Sequence, residues 1–283
     1  MTGVLSALLA ALGYGISDFV GGIASRRVAA LRVVIVSYPL ALLLLTLLAV
    51  PVGGQISAPA VWWGLLSGVA QAFGVWWFYA ALGSGPISVV SPLTAVLVAG
   101  IPVLAGLVLG ERPSTLAGIG VVLALVAVVL VSREASDGDE DVRRHRFTVK
   151  VALLTVGSGV AFGMNFVLLH QVPPEAKLWP LVFARIAATT IVLVAALLTA
   201  NLVLERGVSL RLAAVAGVLD TIANVATLLA LQSSLLSLAG VLIALYPAAT
   251  VVLAITVLRE RVTRWQALGM VLTLGSVAMI AAN

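Results

Sequence analysis

Ten runs of apolar residues, each about as long as a bilayer is thick, leave this 283-residue chain little choice of solvent. They cover about residues 2–23, 32–51, 60–82, 86–109, 114–132, 150–170, 178–200, 210–231, 235–258 and 264–282. A helix needs ~20 such residues to cross the hydrocarbon core. The runs are too long for strands and too continuous for surface helices, so each predicts a membrane-spanning α-helix. With 62% hydrophobic residues, 10% charged ones and a mean hydropathy of +1.20, nothing is left over for a soluble core. The expected fold is an all-α integral membrane protein of ten transmembrane helices.

The spans are not independent. Ala80–Arg112 and Leu229–Arg261 align without a gap and share fourteen identities, among them Ala81/Ala230, Ser88/Ser237, Leu93/Leu242 and Leu109/Leu258. Both windows close with Glu-Arg, at Glu111-Arg112 and Glu260-Arg261. Apolar composition alone produces some matches, so the shared charged ends carry the alignment. Internal repeats in a membrane chain point to a transporter.

The longest polar break, residues 133–149, divides the spans five and five. From Arg133 to Lys150 it holds five acidic residues and, counting His145, six basic ones, which reads as a solvated linker. Five is odd, so the second half enters the membrane from the opposite side. The chain is therefore expected to be two inverted five-helix repeats, 1–132 and 150–283. Further pairs follow this division: Arg32 with Arg185, Asp18-Phe19 with Asn165-Phe166, and Gln71 opposite Asp220.

These residues give the chain its resemblance to the drug/metabolite transporter superfamily, and within it to the EamA-type ten-helix members. The first half carries Gly13, Gly15, Ser17, Asp18 and Phe19, an arginine opening the second span, Tyr79-Ala80-Ala81-Leu82, and Gly110-Glu111-Arg112. The second half repeats the pattern with Asn165-Phe166, Arg185 and Arg259-Glu260-Arg261. Asp18 stands where such proteins more often carry asparagine, and Arg259 replaces a glycine. The resemblance implies a secondary carrier, with export of amino acids or related compounds as its first meaning.

Within the bilayer, charged and amide side chains are costly and usually face a cavity or a partner. Asp18 has Tyr14 one turn before it on the same face, and Asp220 has Asn224 one turn after it. Gln71 lies in the third span near Trp77 and Tyr79, and Asn165 is the repeat partner of Asp18. Repeat symmetry would gather spans one, three, six and eight about a pseudo-two-fold axis, where transporters of this kind hold substrate. The candidate substrate or coupling residues are thus Asp18, Tyr14, Gln71, Trp77, Tyr79, Asn165, Asp220 and Asn224. Arg185, a turn inside its span, reads as a snorkelling side chain. Glu111 and Glu260 read first as turn-forming charge pairs with Arg112 and Arg261, with a gating role as the second reading.

The expected function is alternating-access transport of a small metabolite, with proton coupling open to two intramembrane carboxylates. A multidrug or organic-cation effluxer is the alternative, favoured if both aspartates face one aromatic-lined cavity. A membrane scaffold is the non-transport alternative, and it would not need charges facing a shared cavity. The chain has no cysteine, no phosphate-binding GxxxxGK[ST] loop and no readable nucleophile–base or metal constellation, so neither an enzyme nor a cofactor is expected. Expected partners are the small-molecule substrate, the lipid bilayer and protons. A soluble protein with net charge +5 and pI near 10.2 would suggest nucleic acid, but here the arginines sit in loops as orientation signals. Thirteen of the sixteen Lys and Arg residues follow spans one, five, seven and nine. The positive-inside rule then places the linker in the cytoplasm and both termini outside, the reverse of the usual family drawing. The expected location is the plasma membrane, crossed many times; a monomer is plausible, and the sequence leaves the oligomeric state open.

Overall fold

The computed structural model describes residues 2–25, 27–82, 87–131, 148–258 and 263–282. Glu260-Arg261 and most of the charged linker lie outside the described residues, as does the side chain of Tyr79. The described residues form α1 (Thr2–Ser25), α2 (Ala30–Val52), α3 (Ala58–Leu82), α4 (Ile87–Val108), α5 (Thr115–Val131), α6 (Val149–His170), α7 (Trp179–Leu198), α8 (Val208–Ser233), α9 (Leu236–Ile243), α10 (Tyr246–Leu258) and α11 (Arg264–Ala281). No strand occurs among them. Five of these helices contain stretches long and apolar enough to cross a bilayer: those in α1, α2, α6, α7 and α8.

Helix ends follow from local chemistry. The Thr148 hydroxyl accepts from the Val151 amide to start α6, and Thr263 with Gln266 forms a reciprocal capping box at α11. Pro180 in the first turn of α7 lacks an amide that the helix would not have used. Leu5, Leu9 and Leu12 project from one side of α1 and are more than half exposed, as are Leu43 and Leu47 on α2. Such surfaces are satisfied by lipid rather than by water.

The ninth apolar run departs from expectation. It is not one helix but two, α9 and α10, separated by a turn at Ala244-Leu245. Pro247 has no amide to offer the Ile243 carbonyl four residues back, so the ladder is interrupted there. Pro39, by contrast, sits within a continuous α2. Interrupted helices at membrane depth are a recurring device for ligand sites.

Packing joins the repeats rather than separating them. α1 lies chiefly on α8, α3 on α6 and α7, α2 on α7 and α8, and α5 on α11. Exchanging each helix for its counterpart in the other half maps these contacts onto one another: α1 on α8 becomes α6 on α3, and α2 on α8 becomes α7 on α3. The pairs α2–α7 and α5–α11 lie across the axis itself. Small residues permit the close approach. A methyl group at Gly13 would lie 3.0 Å from the Ala223 side chain, and one at Gly217 would lie 2.8 Å from the Ser37 carbonyl oxygen. At Gly68 it would overlap the carbonyl of Ala184. The main buried cluster runs through these contacts, with Leu45, Leu169, Leu181, Leu228, Leu231, Leu242 and Ile243 all at 2% exposure or less.

Candidate functional site

The charged groups inside the bundle converge on α8. Asp220, near the middle of that helix, accepts a hydrogen bond through Oδ2 from Nη2 of Arg185 on α7, at 2.6 Å. Arg185 is only 1% exposed, and its guanidinium lies over the Tyr38 ring of α2, 4.5 Å from the centroid. The snorkelling expectation for Arg185 is therefore wrong. A neighbouring carboxylate and an aromatic face inside the bundle replace the hydration that the side chain would otherwise reach for at the interface. Its Nη1 is buried without a hydrogen-bond partner among the described residues. One α7 arginine, one α8 aspartate and one α2 tyrosine thus tie three helices from both repeats together.

Asn224, buried one turn further along α8, donates from Nδ2 to the Asp220 main-chain carbonyl at 2.7 Å. Across the α1–α8 contact, Ser17 donates to the Ala216 carbonyl at 3.0 Å, and the Thr227 hydroxyl donates to the Tyr14 hydroxyl at 3.4 Å. These bonds set the register that brings Asp18 of α1 within electrostatic range of Asp220. Tyr246, at the start of α10 just after the helix interruption, lies within range of Asp18 in turn. Asp18 itself is exposed and makes no hydrogen bond or ion pair among the described residues. Among the described residues, two carboxylates share this region with one guanidinium, and that guanidinium is committed to Asp220.

The symmetry-related contact between α3 and α6 is built from neutral groups. Asn165 is buried and accepts through Oδ1 from the Ser67 hydroxyl, while Ser158 donates to the Gly74 carbonyl at 2.9 Å. Gln71 is partly buried and makes no hydrogen bond among the described residues. The Trp77 ring packs on Gly157 of α6 and against Phe73, at 5.2 Å between centroids. Of the candidates from sequence, Asp18, Tyr14, Asp220 and Asn224 come together, whereas Asn165 and Trp77 belong to the α3–α6 contact. The sequence reading missed Tyr38, Thr227 and Tyr246. For the two tyrosines the one available signal was a proline immediately after, at Tyr38-Pro39 and Tyr246-Pro247, inside otherwise apolar spans; Thr227 carried none.

A groove of about 530 Å3 runs along α5 between Pro113 and Val126. Its lining carries no charged side chain and shares no residue with the Asp220 cluster, so it belongs to the apolar periphery.

The two halves of the chain pack around this buried charged cluster, and comparison with known proteins decides the family. The EamA-like transporter family matches residues 1–133 and 149–282, nearly the whole chain and both halves of it. The protein belongs to this family. It is a membrane transporter, and the resemblance read from Asp18-Phe19, Asn165-Phe166 and the Glu-Arg ends holds. A crystal structure of a protein 16% identical in sequence superposes with a TM-score of 0.80, covering 99% of this chain and 96% of the other. At that identity the likeness concerns the fold alone. No curated protein matches the sequence.

Proposed function

We propose that this EamA-like transporter is a secondary active carrier that moves a small amine-bearing metabolite by alternating access, amino acids and related compounds first among them. One observation carries the reading: Asp18 is an open carboxylate beside an Asp220 already neutralised by Arg185. A cationic group reaching this region would find at Asp18 an anion that has no partner among the described residues, with Tyr14 one turn away on the same helix. The same carboxylate can take a proton when no substrate is bound, which offers a means of coupling. Asp220 then serves chiefly to hold Arg185, and Asn224 to hold the backbone of that turn.

Transport measured in proteoliposomes across a panel of amino acids and amines, with and without a pH gradient, tests this directly. Asp18→Asn is expected to reduce transport by about tenfold or more, the scale of one lost charge-assisted contact. If Asp18→Asn and Asp220→Asn both left transport and its pH dependence intact, the site would be misplaced. The organic-cation reading is favoured by the tyrosines near the open carboxylate, and quaternary amines in the same panel distinguish it. Export is the direction that the family resemblance implies, and the arginine count puts the arginine-rich face in the cytoplasm, with the plasma membrane as the location. Cytoplasmic termini in a reporter fusion would reverse that orientation.

A further inference from the structure

α9 is an eight-residue helix, every residue of which is buried, and its N-terminus has no side-chain cap of its own. Leu235 occupies the cap position and offers no acceptor. The acceptor comes instead from the other repeat. The Glu111 carboxylate, in the turn between α4 and α5, accepts from the Leu236 amide through Oε1 and from the Ser237 amide through Oε2, the latter at 3.0 Å. These are two of the four amides a helix leaves unsatisfied, and the positive end of the helix dipole adds to the attraction.

The turn is shaped for this contact. Glu111 donates its own amide to the Gly106 carbonyl at 2.9 Å, and a side chain at Gly106 would overlap the Glu111 carboxylate. Gly110 has φ 89°, a conformation L side chains rarely adopt. At the matching positions of the second repeat the sequence has Ile255 and Arg259, so neither glycine is duplicated although Glu260 is. Further along, Gly240 of α9 presses so closely on Pro102 of α4 that a side chain there would overlap the proline ring.

We propose that Glu111 is the latch that closes the membrane face bearing Arg112 and Lys177: its carboxylate clamps α9 of the second repeat to the α4–α5 turn of the first. The clamp must release when the cavity opens to that face. Because α9 leads directly into the interruption before Tyr246, the latch also holds the turn from which α10 starts, and α10 packs on α1. The inference rests on the alternating-access reading given above.

The natural absence of cysteine makes the test simple. Ser237→Cys, 1% exposed in this state, reports on the clamped end of α9, and Ala213→Cys, 2% exposed near the opposite face, reports on general loosening. Each is reacted with a membrane-impermeant maleimide in sealed vesicles of known sidedness, position 237 from the Arg112 face and position 213 from the opposite face, with Glu111 intact or changed to Gln or Ala. The expected result is an increase of about tenfold or more in labelling at position 237 from the Arg112 face, from the loss of two charge-assisted hydrogen bonds, with position 213 unchanged. Unchanged labelling at position 237, or a parallel rise at both positions, overturns the latch. Labelling needs no substrate, so a failed transport panel with the native protein would count against the proposed function while the labelling result stood by itself.

Discussion

The α1–α8 and α3–α6 contacts are the same structure made twice, yet only one of them carries charge. Both are close helix pairs built on small residues and linked by a serine hydroxyl bonded to a facing main-chain carbonyl, Ser17 to Ala216 and Ser158 to Gly74. In α3–α6 the polar groups are neutral; Asn165 and Ser67 satisfy one another, while Gln71 makes no hydrogen bond among the described residues. In α1–α8 the counterparts of Asn165 and Gln71 are Asp18 and Asp220, and among the described residues only the second has a cation. The two repeats supply two equal frames, and one of them now holds carboxylates where the other holds amides. A buried polar network that is complete stabilises a fold; one that is incomplete is poised to receive something.

The largest effect should come from breaking the ion pair on the charged side. Removing one partner of a buried pair typically costs about 3–5 kcal/mol, because the other charge is left uncompensated. Arg185→Met and Asp220→Leu are each expected to lower the thermal unfolding temperature in detergent strongly. The double substitution should recover most of the loss, and a double variant as unstable as the worse single one would contradict the pairing.

Asn165→Asp, which copies the charged side onto the neutral one, is the next most severe. A carboxylate facing the Ser67 hydroxyl has no cation beside it among the described residues, and the penalty for an uncompensated buried charge is about 3–5 kcal/mol. Wild-type stability for that variant would show that the α3–α6 contact tolerates charge as well as its counterpart does. Asp18→Asn should separate the two properties in the opposite sense, with transport falling while stability stays within about 0.5 kcal/mol, since an unpaired exposed carboxylate contributes little to the fold. A large loss of stability there would mean that Asp18 is structural. Gln71→Ala comes last. Gln71 has no hydrogen bond to lose, so its removal should leave both transport and unfolding near native, and a transport defect would return Gln71 to the site.

Much of this was legible in the chain, though unevenly. Ten apolar runs and an odd number of spans per half are enough to specify inverted repeats, because a bilayer admits few alternatives for such segments. Asp18 and Asp220 stood out for the same reason, as charges where the solvent forbids them. Arg185 did not, since a turn of helix from the membrane surface is a position from which an arginine can reach water. Its burial depends on Tyr38 and Asp220, which lie 147 residues before it and 35 after it in the sequence. The interruption of the ninth span was also concealed, because Pro39 and Pro247 look alike in sequence while α2 continues and α9 stops.

The distinction is one of range. Sequence alone determined the solvent, the number of crossings, the inverted duplication and the presence of unaffordable charges, because each depends on residue type and spacing along one helix. Tertiary structure decided which of those charges are neutralised and which helix end Glu111 caps. Coulombic pairing and capping act over a few ångströms between helices far apart in the chain, and nothing along a single helix specifies which neighbour it will meet.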